Sequence, residues 1–198
     1  MRVRQRIRFR FESTLMTPVS NAFTLRSMTP ADADAVAALH ASSWRSAYRG
    51  IVPDTFLDHE VFAERQAVWR ERLQGPSTAP AFGIVAEDAA GQLVGFAYVL
   101  PGHDPVCGTL VDNLHVHPDL KGGGLGRRLL QAVVCELSPA HTQPLHLWVL
   151  DQNEPAKRFY ARMGAEFIDP GTTPPFGGVC LPEWRCIWRD PSVLLDHA

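Results

Sequence analysis

Nothing in the 198-residue sequence approaches the roughly 20 consecutive apolar positions of a membrane-spanning helix, so no spanning segment or membrane partner is expected. Cysteine is sparse. Cys107, Cys135, Cys180 and Cys186 are scattered without C-x-x-C spacing, which signals neither a disulfide framework nor a zinc site. They read as small buried residues of a reducing, cytoplasmic compartment. Neither sign of charge dominates, since 19 Lys and Arg face 21 Asp and Glu, so bulk affinity for nucleic acid is not indicated. No internal repeat is visible. Acidic residues are missing before Glu12, where Arg2, Arg4, Arg6, Arg8 and Arg10 alternate with Val3, Ile7 and Phe9. A period of two is wrong for an amphipathic transit helix. Residues 1–20 are therefore expected to be a loosely ordered extension, with Met16 as an alternative start.

What remains suits one α/β domain over residues 21–198, with 45% hydrophobic content and enough length for one sizeable core. Its organising stretch runs from Asp112 to Leu137. Leu110, Asp112, Leu114 and Val116 alternate with Val111, Asn113 and His115 as in a strand, and Pro118 closes it. Gly122, Gly123, Gly124 and Gly126 follow, and then Leu125, Leu129, Leu130, Val133 and Val134 recur with helical spacing. A glycine-rich loop thus enters the first turn of a helix. Helical N–H groups there lack carbonyl partners, and glycines let an anion approach the backbone. Lys121, Arg127 and Arg128 add positive charge. The pattern suits a pyrophosphate cradle; a plain strand-to-helix turn with a solvated basic rim fits it as well.

Neither familiar phosphate loop matches. A P-loop places its lysine after the glycines, and a dinucleotide fingerprint requires glycine where Arg127 stands. The run Val116-His117-Pro118 followed by Lys121-Gly122-Gly123-Gly124-Leu125-Gly126 instead resembles the V-x-P and R/Q-x-x-G-x-G/A motif of the GNAT superfamily of N-acetyltransferases. Lys121 replaces the usual Arg or Gln, keeping the charge but losing the planar fork. Asn153 to Gly164, N-x-x-A-x-x-F-Y-x-x-x-G, resembles the second block of that superfamily.

The remaining elements are read from local signals. A strand at Phe23–Arg26 precedes a helix capped by Thr29 and Pro30, with Val36, Leu39 and Ser43 inward. A second helix, 61–73, has Phe62, Trp69 and Leu73 inward and Glu64, Arg65, Arg70, Glu71 and Arg72 outward. Strands 82–87, 93–100 and 108–116 follow, joined by turns at 88–91 and 101–105. The apolar run 145–150 suits a central strand, and Asn153 caps another helix that Gly164 ends. Strands beginning at Ala165 and Val179, separated by a loop over 170–178, complete the sheet. The expected fold is α/β (α+β), a mixed, mostly antiparallel sheet of about seven strands with about four helices. The crossover through the glycine loop makes strands four and five parallel neighbours, and the resemblance implies that they splay.

The resemblance further implies acetyl-CoA as co-substrate, its pantetheine lying along Leu114, His115 and Val116 and its pyrophosphate on Lys121, Gly122, Gly123, Gly124, Leu125, Gly126 and Arg127. Asn153, Ala156 and Tyr160, on one side of the capped helix, complete that set. Tyr160 is the candidate proton donor to the departing thiolate, because a phenol is protonated at neutral pH. Asp112 is the candidate base. An ordinary aspartate is too acidic to deprotonate an alkylammonium directly, so a water relay or burial would have to assist. His103 and Glu87 are weaker candidates. His115 and His117 have strand spacing but no further ligands for a metal, and none is expected. Trp44 and Tyr48 belong to an aromatic segment, 44–57, which reads either as a lid over the core or as an acceptor-binding wall. The implied reaction is direct transfer to a primary amine, on a small molecule or a peptide, within a ternary complex; a homodimer is compatible. The competing reading is a non-catalytic acyl-CoA-binding or partner-binding module.

Overall fold

The computed structural model describes residues 23–76, 80–137 and 143–196. The expected extension over residues 1–20 lies outside them. Seven strands form one sheet: β1 (Thr24–Ser27), β2 (Phe82–Glu87), β3 (Leu93–Asp104), β4 (Gly108–Val116), β5 (Leu145–Leu150), β6 (Glu166–Thr172) and β7 (Pro182–Trp188). Their spatial order is β1-β2-β3-β4-β5-β7-β6. Every pairing is antiparallel except β4 with β5. Among the described residues five α-helices accompany them: α1 (Ala33–Ala47), α2 (Asp54–His59), α3 (Val61–Gln74), α4 (Leu125–Glu136) and α5 (Glu154–Arg162). The fifth is α2, a short helix begun by Pro53 and Asp54 inside the aromatic segment.

The helices divide between the faces of the sheet. On one face Val36, Ala37 and Leu39 of α1 and Trp69 of α3 pack against Val85, Phe96 and Tyr98. On the other, Leu125, Leu129, Leu130 and Val133 of α4 join Tyr160 and Met163 against Ile84, Ala97, Val99, Val111 and Leu147. Near the first helix, Asp32 binds the Thr29 N–H at 2.7 Å and the Thr29 hydroxyl at 2.9 Å. The guanidinium of Arg26 binds Asp32 and Glu87, which ties β1 to its neighbours and holds the Asp32 carboxyl at about 2.

Several expectations need correction. A β-bulge interrupts β4: Tyr98 pairs with Asn113 and Val99 with Val111, leaving Asp112 without a partner across the ladder. The simple alternation of Leu110, Asp112, Leu114 and Val116 is therefore broken. Val111, Leu114 and Val116 belong with the α4 core, while Asp112 and Asn113 both reach Arg72 on α3. The turn expected at 101–105 is strand as far as Asp104, whose carboxylate accepts the N–H groups of Val106 and Cys107 at 2.8 and 2.7 Å and closes a tighter turn. Pro170 and Gly171 lie within β6 because it is an edge strand, paired only with β7, where proline's missing donor is tolerated. Phe62 is exposed and Val61 is buried in its place. Cys135 and Cys180 are exposed; only Cys107 and Cys186 are buried. Among the described residues, no helix is long and apolar enough to cross a membrane.

Trp69 is the largest side chain in the core on that face. It is fully buried, meets Phe96 and Tyr98 edge-on at 5.2 and 5.3 Å, and donates its indole N–H to His40 at 3.0 Å. Trp69→Ala is expected to lower the unfolding free energy by about 3–5 kcal/mol. Urea denaturation checks this, and a loss within error of zero would contradict the packing.

Candidate active site

Strands β4 and β5 are paired only at Thr109 with Leu145 and Leu110 with His146. Beyond that point they separate, and from residue 111 onward β4 has no strand partner on its β5 side. The opening belongs to a cavity of about 1250 Å³ that runs from the glycine loop, past β4 and α5, to the aromatic segment.

At one end stands the cradle. Gly122 and Gly124 have φ of 82° and 81°, a conformation that suits glycine, and a Cβ added at either would project into open space. The N–H groups of Gly124, Leu125 and Gly126 open α4, where no carbonyl one turn back can receive them. Gly126 serves a different purpose. A Cβ there would sit 3.3 Å from the Phe159 ring, so its absence lets α4 press against α5. The two sequence blocks thus meet in space. Lys121 lies at the same end, solvent-exposed, with its ammonium shifted down by partial desolvation.

Alongside, Asn153 caps α5 by accepting the Ala156 N–H at 3.3 Å. This sets the helix orientation that brings Tyr160 to the cavity. Tyr160 is buried between Phe159 and Trp188, at 5.3 and 6.1 Å, and its hydroxyl has no hydrogen-bond partner among the described residues. Burial, aided by the neighbouring Tyr48, raises its pKa, so the phenol keeps its proton at neutral pH.

The far end is aromatic. The Trp44 ring lies 5.3 Å from Tyr48 and 5.1 Å from Phe176 of the β6–β7 loop, and the Arg65 guanidinium covers it at 4.6 Å. The 44–57 segment packs as a core there and also borders the cavity. Ala41, Trp44, Val52, Phe56, Leu57 and Val61 form a small core of their own, and Trp44 and Tyr48 also line the cavity.

Residues 80–164 match the family model described as the acetyltransferase (GNAT) domain. Over 121 residues the chain is 34% identical to an aminoglycoside N(6')-acetyltransferase type 1 of Stenotrophomonas maltophilia, covering 58% of this chain and 67% of that protein. The chain belongs to the GNAT superfamily of N-acetyltransferases. A mycothiol acetyltransferase of Actinosynnema mirum is 32% identical over 150 residues, 74% of this chain, which spans 46% of that relative's length. The crystal structure of the PaiA N-acetyltransferase from Thermoplasma acidophilum in complex with coenzyme A shares the fold at 18% identity, with a TM-score of 0.62 over 82% of this chain and 98% of that one.

Within this GNAT scaffold the sequence-predicted residues fall into three groups. Leu114, His115, Val116, Lys121, Gly122, Gly123, Gly124, Leu125, Gly126, Arg127, Asn153, Ala156 and Tyr160 all border the same cavity, as do Trp44 and Tyr48. Asp112 also reaches its wall, but the carboxylate approaches the Arg72 guanidinium at 2.6 Å, an ion pair without hydrogen-bond alignment. Before it could take a proton it would have to leave that partner. Glu87 is committed to Arg26, and neither it nor His103 borders the cavity. Among the described residues no cluster could hold a metal ion.

The sequence reading passed over Arg65, His40 and Glu183. Arg65 and Arg72 were expected to face outward, yet their long side chains fold back over aromatic rings. His40, one helical turn before Trp44, is fully buried. Glu183 had a local signal: Glu183 and Arg185 alternate with Trp184, Cys186 and Trp188, which places two charges on one face of a strand.

Two neutral imidazoles lie under the cavity. His40 and His115 have ring centroids 4.2 Å apart, and Ser43 Oγ is 3.0 Å from His115 Nδ1. Since Trp69 donates to His40 Nδ1, the His40 proton sits on Nε2, which is buried without a partner among the described residues. Desolvation, with the Lys121 and Arg65 charges, pushes His115 down to about 3, and burial depresses His40 as well. Once unfolded, both would take up protons near 6.5. The unfolded chain therefore binds more protons, and stability falls as pH drops from about 6.5 toward 3. His115→Gln, which retains a polar partner for Ser43, is expected to make that fall shallower. Urea unfolding of both proteins near pH 7 and pH 4.5 reads it, and parallel losses would show that His115 is not protected.

Proposed function

We propose that residues 21–198 act as one domain that transfers an acetyl group from acetyl-CoA to a primary amine, directly and within a ternary complex. The observation that carries this reading is the continuity of one cavity from the glycine cradle to the aromatic pocket, with the Tyr160 phenol between them. The residues fit the coenzyme. An open N-terminal turn of α4, two glycines with empty space where a Cβ would stand, and the nearby Lys121 suit a diphosphate. The unpaired edge of β4 at Leu114 to Val116 offers backbone groups to an extended pantetheine arm, as an added strand would take them.

When bound, acetyl-CoA supplies an acetyl group on a thiol leaving group. The chain's own contributions then follow from position. A backbone N–H near Leu114 polarises the carbonyl of the thioester. The acceptor ammonium first loses a proton to water, and the neutral nitrogen then bonds to the acetyl carbon as the C–S bond breaks. Tyr160, kept protonated by burial and free of any competing partner among the described residues, gives its proton to the departing sulfur. The surplus proton on the new amide nitrogen returns to the phenolate through water. Trp44, Tyr48 and Phe176 enclose the acceptor and exclude water. Asp112, already paired with Arg72, braces the bulge and is not assigned as the base. Exposed and buried cysteines without disulfide partners accord with a reducing, cytoplasmic setting.

Calorimetry with acetyl-CoA, followed by turnover on a panel of primary amines, tests the whole reading. Tyr160→Phe is expected to reduce kcat about 100-fold while acetyl-CoA affinity stays near that of the wild type. Unchanged turnover would remove the acid role. For Gly124→Val, added methyls would enter the cradle and binding should weaken by at least about tenfold. A folded Gly124→Val protein with normal affinity would place the diphosphate elsewhere.

A further inference from the structure

The cavity wall carries three carboxylates, those of Glu64, Asp112 and Glu183. Two are already balanced: Glu64 pairs with Arg65 and Asp112 with Arg72. Glu183 has neither an ion pair nor a hydrogen bond among the described residues. It stands at the start of β7, opposite Leu150 on β5 and opposite Gly171 on β6, so no side chain of the outer strand covers it. Its charge is felt at Tyr48, whose hydroxyl is pushed up to about 12 by burial and then by Glu183. Desolvation raises Glu183 itself, the cost of a carboxylate left without a partner.

We propose that Glu183 binds the ammonium group of the acceptor, and that the acceptor is a monocationic primary amine carried on an apolar or aromatic body. This rests on the acetyltransferase reading above and narrows its substrate class. One unbalanced carboxylate matches one positive charge. The adjoining rings of Trp44, Tyr48 and Phe176 suit an apolar or planar body. A second ammonium on the same molecule would meet the Arg65 guanidinium, which already occupies the Trp44 face. Polyamines are disfavoured on that ground.

Phenethylamine, its neutral isostere 2-phenylethanol, and spermidine serve as probes on the full chain and on Glu183→Gln. The wild type is expected to show a KM for phenethylamine at least about tenfold below that for spermidine. Glu183→Gln should raise the phenethylamine KM about 10- to 100-fold, with calorimetric acetyl-CoA affinity changed less than about twofold. Inhibition by 2-phenylethanol should be equal in both proteins, because it presents no charge to residue 183. Glu183→Asp, which keeps the charge, should recover most of the loss; a purely structural role would not separate Asp from Gln in this way. If acetyl-CoA binds and phenethylamine turns over equally well in Glu183→Gln, or if spermidine is preferred, this inference is overturned while the transferase reading stands. A wild type that binds no acetyl-CoA overturns both.

Discussion

Two strands that begin as hydrogen-bonded partners and then part are the constraint on which the rest of the molecule depends. A strand in the interior of a sheet must satisfy its N–H and C=O groups, and each one buried away from water without a partner costs on the order of 1–3 kcal/mol. Here β4 and β5 share only two residue pairs before diverging. The exposed edge is tolerated because it faces a water-accessible cavity. Helices on both faces hold the sheet together on either side of the gap: α1 and α3 over β2 and β3, α4 and α5 over the strands that flank the opening. The bulge at Asp112 adds a local bend where the separation begins, and the Arg72 pair fixes it from the α3 side.

Legibility in the sequence followed the range of the interaction. The glycine loop, the Asn153 cap and the apolar run of β5 are encoded within a few residues, and β4 and β5 were found at their observed limits. The bulge was invisible because it depends on which β3 residue faces which β4 residue. Arg65 and Arg72 looked like solvated helix residues, since a helical projection does not say that a neighbouring aromatic lies within reach of a long side chain. Cys135 was placed inside by its apolar neighbours, yet it falls on the outer side of α4. Pro170 misread as a loop residue teaches the same lesson: whether proline breaks a strand depends on whether that strand is at an edge, which only the assembled sheet decides.

The two ends of the cavity are built from different materials. The cradle end uses backbone: glycine conformations, helix N–H groups and an unpaired strand edge. Its chemistry is local and survives change in most surrounding side chains. The aromatic end uses side chains from four separated parts of the chain, namely Trp44 and Tyr48 on and just beyond α1, Arg65 on α3, Phe176 in the β6–β7 loop and Glu183 on β7. Under the proposed function, recognition of the coenzyme is therefore set by one short segment, whereas recognition of the amine requires the tertiary fold.

That difference bears on how the site can be both rigid and selective. Trp44 belongs to the small core that anchors α2, and Arg45 donates to the Leu57 carbonyl at 2.7 Å, so the aromatic wall is braced from behind. The adjoining His40 and His115, their rings tilted by 36°, support the same wall from beneath and stay neutral because burial penalises their charged forms. A positive charge on either would have added to those of Arg65 and Lys121 and weakened the attraction of the pocket for a cation. Their neutrality leaves Glu183 as the unbalanced charge at the aromatic end, and under the proposed function an unbalanced, partly buried charge there favours occupation by its opposite. The electrostatic cost of an empty site thus becomes part of the free energy of binding.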